Sequence, residues 1–205
     1  MTLNIFKNKP IKILKNPKTP AYMKFKELIL SKDFPWFYNA HIYADGIRWD
    51  SHIKGTVPKN KINYADYYDH PWFSHTFLIR PQPERKYPQV NSPHLEACEK
   101  IIDEILKHNK IHVDCFYRIN ANLVLPIKGH KKGIPHLDHL WKHNLLFMYL
   151  TDAGGETVCV DNNLKKVASF DPPEDGVMLL KGTNQLHYPY IPENKRRVII
   201  IASHI

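Results

Sequence analysis

From His112 to the end, the chain is a succession of short apolar runs separated by turn-forming residues. That punctuation limits the fold more than any other feature. Runs at 112–119, 121–125, 144–150, 156–160, 166–170, 176–181, 185–189 and 197–203 each have the length and composition of a strand. Between them stand Asp152-Ala-Gly-Gly155, Asp161-Asn-Asn163, Asp171-Pro-Pro-Glu-Asp-Gly176, Lys181-Gly182 and Pro192-Glu-Asn194. About eight short strands in succession predict a jelly-roll barrel.

The first half reads differently. Met23, Leu28 and Leu30, with strong helix formers between them, predict a helix over Ala21 to Ser31. Asp33-Phe-Pro-Trp36 ends it and begins an extended aromatic segment. Residues 44–70 lack periodicity and read as loops, and Trp72 to Ile79 reads as a strand. Ser92-Pro93 supplies a capping hydroxyl and then a proline for the first helical turn. Leu95, Cys98, Ile101, Ile102 and Ile105 follow on one face, so this second helix should lay an apolar stripe on a sheet. The expected class is α+β, mainly β, with a barrel buttressed by N-terminal helices. One domain of 205 residues is expected, with a basic arm at 1–19, a support region at 20–111 and the core barrel at 112–205. A short strand is expected within the arm, at Ile11 to Leu14.

Composition narrows the setting. Hydrophobic content of 43% and charged content of 24% are those of a globular chain. The longest uncharged apolar stretches, Leu145 to Leu150 and Val198 to Ala202, are too short to cross a bilayer, so no membrane partner is expected. The N-terminus lacks the apolar stretch of a secretory signal peptide. Cys98, Cys115 and Cys159 form no CxxC pair, which favours a reducing, cytoplasmic setting. Lys7, Lys9, Lys12, Lys15, Lys18, Lys24 and Lys26 face one acid, Glu27, within the first thirty residues. They should form an exposed positive surface, because so many like charges cannot be buried together. Such a surface can bind nucleic acid. With no arginines and few aromatics among the lysines, an ordinary solvated surface is the favoured reading.

Chemistry is concentrated near the C-terminal end. His136 and Asp138 lie in Gly-Ile-Pro-His-Leu-Asp, His187 follows 51 residues later, and Arg197 ten residues after that. In an extended chain residues i and i+2 point to one side, so His136 and Asp138 converge while Leu137 turns away. Two histidines and a carboxylate can hold one face of an octahedral Fe(II). Any one of thirteen histidines is more often a surface or core residue; the ordered set is much rarer. A rival, His136, His139 and His143, has a zinc-hydrolase-like spacing but lacks the glutamate base and sits in β-rich surroundings. His204 competes as the distal ligand but has no basic residue after it. Arg118, Asn120 and Asn122 share one face of their strand, either lining a wet cavity or facing solvent from an edge. Trp141, just after the metal motif, fits a substrate-facing rim or an ordinary surface loop.

The segment from Phe116 to Ile205 resembles the 2-oxoglutarate/Fe(II)-dependent oxygenase superfamily in its prolyl-hydroxylase-like branch, and is similar to small virus-encoded members. The resemblance rests on Arg118-Ile-Asn-Ala-Asn-Leu123, His136-Leu-Asp138, Tyr149-Leu-Thr-Asp-Ala-Gly-Gly-Glu-Thr157, Asp175-Gly-Val-Met-Leu179, His187 and Arg197. Asp33-Phe-Pro-Trp-Phe-Tyr-Asn39 adds to it. It implies a double-stranded β-helix, iron ligands at His136, Asp138 and His187, and a cosubstrate carboxylate held by Arg197 and Tyr149. Asn122 would face the cosubstrate, with Arg118, Asn120 and Trp141 toward the substrate. Arg196 is the second choice for the anchor, since only one of two consecutive strand residues can face the barrel. Some relatives carry a serine two residues after the arginine; Ile199 stands there, placing more weight on Tyr149.

The implied activity couples oxidative decarboxylation of 2-oxoglutarate to hydroxylation of an unidentified substrate, with Fe(II) as cofactor and O2 as co-reactant. Retention of Asp138 favours hydroxylation over halogenation. Two alternatives stand beside it: a non-catalytic metal- or ligand-binding barrel, and an oxygenase that modifies nucleic acid.

Overall fold

A computed structural model describes residues 10–40, 68, 70–82, 84–139, 141–181 and 185–205. Lys7, Lys9, most of the loop expected at 44–70 and Gly182 lie outside them. In chain order the elements are β1 (Ile11–Leu14), α1 (Pro20–Leu30), β2 (Phe37–Asn39), β3 (Trp72–Ile79), β4 (Gln89–Val90), α2 (Leu95–His108), β5 (Phe116–Val124), β6 (Asn144–Tyr149), β7 (Thr157–Val160), β8 (Lys166–Phe170), β9 (Val177–Leu180), β10 (Leu186–Pro189) and β11 (Arg197–His204).

The strands form two antiparallel sheets. The larger runs β1-β9-β6-β11-β5-β3-β2, with β4 added to β3; the smaller runs β10-β7-β8. This is the mainly β, jelly-roll arrangement that the strand spacing predicts. Period-two alternation gives the large sheet two faces. Leu146 and Met148 of β6, with Val198, Ile200 and Ala202 of β11, join Phe25, Ile29, Cys98, Ile101, Ile102 and Ile105 of the helices in one core. Leu145, Phe147, Tyr149 and Ile199 face the opposite way, into the barrel, and pack with Cys159, Phe170 and Met178.

The two helices start differently, α1 with a side-chain cap and α2 without one. The Thr19 hydroxyl accepts from the Tyr22 N–H and donates to Glu104 on α2, and Pro20 opens α1. Ser92 instead forms a tight turn, its Oγ accepting from His94 N and its carbonyl from Leu95 N, so α2 begins at Leu95. Residues 112–125 hold one strand, β5, where two were expected. Asn120 is no break: its Nδ2 donates to Asn122 Oδ1 at 2.6 Å along the strand, and its backbone stays in register with Ile201 and Thr76.

The lysine-rich start is also not uniformly exposed. Ile11–Leu14 pairs with β9, leaving Lys12, Lys15, Lys18 and Lys24 on the surface. Lys26 departs from the expectation and is buried, its Nζ 2.6 Å from both Asp175 Oδ1 and Glu174 Oε1. Tyr22 donates to Asp175 at 2.7 Å and Lys18 approaches it at 3.0 Å, so one carboxylate in the β8–β9 turn ties α1 to the barrel.

Candidate metal centre and its cavity

His136 and His187 are brought together by their backbones. His136 N donates to His187 O at 2.9 Å, and His187 N donates to His136 O at 3.1 Å. Directly opposed residues of an antiparallel pair send their side chains to the same face, and the two imidazole centroids are 4.6 Å apart. The 131–138 segment is extended but is not a regular strand. It meets the small sheet at two isolated bridges, Lys132 to Tyr190 and His136 to His187. Between them three residues advance against two on the partner, a bulge. Pro135 offers no N–H there, and Gly133 lies so close to Pro189 that a Cβ would sit 3.0 Å from its carbonyl. Leu137 is buried with Val158, Val160, Leu186 and Tyr188, which anchors the segment while His136 and Asp138 flank it.

The ligand atoms of His136, Asp138 and His187 all lie within 4.8 Å of one another. Each histidine has its Nδ1 against a backbone carbonyl, that of Ile134 at 2.8 Å for His136 and that of Gln185 at 3.3 Å for His187. A carbonyl only accepts, so Nδ1 carries the proton and Nε2 presents a lone pair, the tautomer a metal needs. Asp138 Oδ2 is buried without a hydrogen-bond partner, and its nearest basic atom, His187 Nε2, is 3.5 Å away. Burial pushes the Asp138 carboxyl up, but His187, then His136 and Arg118, draw it well below the usual carboxylate range. In the metal-free protein those imidazoles offset the buried carboxylate only as protonated donors; a divalent cation would take the place of those protons between the same three groups.

These residues open onto a cavity of about 400 Å³, also lined by Arg118, Asn122, Thr157, Arg197, Ile199 and Ile201. Arg197 sits in it through the alternation of β11, on the face of Ile199 and Ile201. Arg196 points outward and donates to the Leu30 carbonyl of α1 at 3.0 Å. Arg197 is 4% exposed. Its Nη1 donates to Gly155 O at 3.0 Å and Tyr190 O at 2.9 Å, while Nε is buried with no partner. No carboxylate among the described residues pairs with it. Gly155, at φ +87°, makes the approach tolerable: a Cβ there would lie 2.7 Å from Arg197 Nη1 and 2.6 Å from Tyr190 O.

Other singled-out residues fall elsewhere. Tyr149 is fully buried behind the cavity wall. Its hydroxyl is 2.6 Å from Thr157 Oγ1, so Thr157 rather than the tyrosine presents a hydroxyl at the cavity surface. Burial pushes the Tyr149 phenol up to about 12, with Thr157 and Arg197 pulling the other way. Asn120 is buried beneath Asn122, which does line the cavity. Trp141 does not line it. Its indole stacks on His139, centroids 4.6 Å apart, and meets Tyr117 edge-on, above a shallow groove beside the cavity.

His139 and His143 do not share a point with His136. His139 Nε2 is 2.8 Å from Ser203 Oγ, and burial lowers its pKa to about 3. His143 Nδ1 is 2.7 Å from the Trp141 carbonyl, and His204 lies buried near Phe116. Among the cavity residues that carried no role in the sequence reading are Thr157, Arg80 and Thr76. Thr157 is signalled by alternation, since it shares the inward face of β7 with Cys159. Arg80 and Thr76 come from β3 and its end, where a register shift between Thr76 and Leu78 hides the pattern.

No protein-family model matches the sequence, and no curated protein matches it. Solved structures do. An oxidoreductase of the 2OG-Fe(II) oxygenase family from Burkholderia pseudomallei superposes with a TM-score of 0.52 at 13% identity, covering 93% of this chain and 92% of that one. The chain shares the fold of that structure. Weaker matches are a viral collagen prolyl hydroxylase from Paramecium Bursaria Chlorella virus-1 and a prolyl hydroxylase from Trichoplax adhaerens. The first has a TM-score of 0.42 and 15% identity over 82% of this chain and 94% of that one. The second has a TM-score of 0.44 and 9% identity over 89% of each.

Proposed function

We propose that this chain is an Fe(II)- and 2-oxoglutarate-dependent oxygenase that hydroxylates its substrate. One observation carries the reading: a His-Asp-His cluster and a buried arginine, with no counter-ion among the described residues, line a single cavity. His136, Asp138 and His187 would hold the iron through two neutral imidazoles and one carboxylate. Iron, when bound, supplies the oxygen activation that protein side chains cannot.

The chain's own residues do the rest. Arg197 offers the charge that a desolvated carboxylate of 2-oxoglutarate requires, held in place by the Gly155 and Tyr190 carbonyls. Thr157 adds a hydroxyl, oriented by Tyr149. Ile199, Ile201 and Phe147 keep the surrounding wall apolar and limit water near the reacting atoms. Asn122 gives a polar contact on the β5 side. A reducing, cytoplasmic setting, which would keep iron ferrous, belongs to the same proposal.

The test is succinate release from 2-oxoglutarate on addition of Fe(II), with Asp138→Ala alongside. Turnover in the parent and none in the variant is expected. Tight metal binding without succinate release would replace this reading by the non-catalytic barrel.

A further inference from the structure

His136 and His187 are fixed by their reciprocal backbone pair, but Asp138 lies past the last bridge of its segment, so no ladder orients its carboxylate. A carboxylate that can turn about its own bonds presents one oxygen or both to a cation. What settles the choice must come from the side chains around it.

Among the described residues, Asp138 is approached from three sides. Arg80, beyond the end of β3, donates Nη1 to the Asp138 carbonyl at 3.4 Å and steadies the backbone. Arg118 of β5 brings Nη1 to 3.7 Å from Oδ1, an ion pair rather than a hydrogen bond. His187 Nε2 lies 3.5 Å from the other oxygen, Oδ2. The two oxygens are thus divided, Oδ1 turned to a guanidinium and Oδ2 to the imidazole cluster. Arg118 reaches this place by alternation, since it shares a face of β5 with Asn122 and both line the cavity. An arginine keeps its charge in a protein, so its pull on Oδ1 persists whatever occupies the cluster.

We infer, on the reading of the cluster as the metal site, that Arg118 is a positioning residue: it holds Asp138 by Oδ1 so that Oδ2 alone faces the metal. Two effects meet at Arg118, and their signs differ. By charge alone, removing a guanidinium beside a cation site should tighten metal binding. Loss of a group that orients a ligand should loosen it, by roughly 10–100-fold for such outer partners. Arg118 is one quarter exposed, so water screens the repulsion, whereas the orientation of the carboxylate is not screened. Loosening should therefore win. A carboxylate released from Arg118 is also free to turn both oxygens to the metal, in place of one bound water.

Titration of Mn(II) into the parent, Arg118→Gln and Arg118→Lys reads both consequences, affinity from the spin-resonance signal of free Mn(II) and hydration from water-proton relaxation by the bound ion. The dissociation constant should rise about tenfold or more in Arg118→Gln, and the relaxation enhancement should fall. Arg118→Lys keeps the charge without the fork; it should recover part of the affinity and still bind more weakly than the parent. Lys128→Gln, beside Asn194 on the surface, should match the parent. Equal or tighter Mn(II) binding in Arg118→Gln or, should that variant not fold, in Arg118→Lys, would overturn the assignment. Weaker binding with an unchanged relaxation enhancement would overturn it too, leaving Arg118 a structural residue only. Mn(II) binding by the parent that survives His136→Ala intact would instead defeat the metal-site reading, and the role of Arg118 with it.

Discussion

Replacing Arg197 by methionine separates the two consequences of burying a guanidinium that has no counter-ion among the described residues. In the unliganded protein the side chain satisfies two carbonyls, of Gly155 and Tyr190, and leaves Nε unpaired. Methionine strands those carbonyls, at about 1–3 kcal/mol each, but removes a desolvated charge that costs several kcal/mol. The terms offset, so the unliganded variant should lie within about 2 kcal/mol of the parent. The liganded protein should behave differently. At 2-oxoglutarate a hundredfold above its Kd, the parent gains about 2.7 kcal/mol, a rise of roughly 5–11 °C in Tm for a chain of this size. Loss of the charge-assisted pair removes about 1.5–3 kcal/mol of binding, one to two decades. The same ligand concentration then gives only about 0.4–1.4 kcal/mol, or roughly 1–6 °C. Thermal melts of Mn(II)-loaded parent, Arg197→Met and Arg196→Met, with and without 2-oxoglutarate, read this directly. An undiminished ligand-induced shift in Arg197→Met, or a larger loss in Arg196→Met, would refute the reasoning.

Other outcomes follow from the same geometry. His136→Ala should lose most metal affinity and all turnover, whereas His139→Ala, whose imidazole is turned to Ser203, should keep both; metal titration of the two variants decides it. Gly155→Ala forces a side chain into positive φ and against Arg197 Nη1; it should cost about 1–3 kcal/mol and weaken 2-oxoglutarate binding while sparing metal binding, read by melts and calorimetry. Tyr149→Phe should reduce 2-oxoglutarate affinity less than Arg197→Met does, because its hydroxyl acts through Thr157. Asp175→Asn leaves buried Lys26 with Glu174 alone and should destabilise by about 3 kcal/mol. Burial raises the Asp175 carboxyl, but Lys26, Tyr22 and Lys18 outweigh it and hold it below its ordinary value. Its stabilising contribution is therefore complete above about pH 4 and is lost as pH falls through the lower folded value. Denaturant melts of parent and Asp175→Asn should converge in acid, and a constant difference down to pH 2 would contradict the assignment.

What the sequence determined by itself is whatever depends on short-range pattern. Alternation placed Arg197 with Ile199 and Ile201 and turned Arg196 away, because side chains in a strand alternate regardless of what lies beyond them. Turn residues set the barrel's punctuation, and the i, i+3, i+4 stripe of α2 identified the face that packs on the sheet. The HxD spacing brought His136 and Asp138 to one side. Tertiary structure alone decided what depends on distant segments. The Tyr149 hydroxyl lies against Thr157, which only the pairing of the two sheets determines. Lys26 is buried because Asp175, 149 residues away, meets it at 2.6 Å, and charge counting along the chain has no access to that partner. Arg80 reaches the metal corner past a register shift in β3, where a single irregular residue is enough to reverse which face a side chain takes.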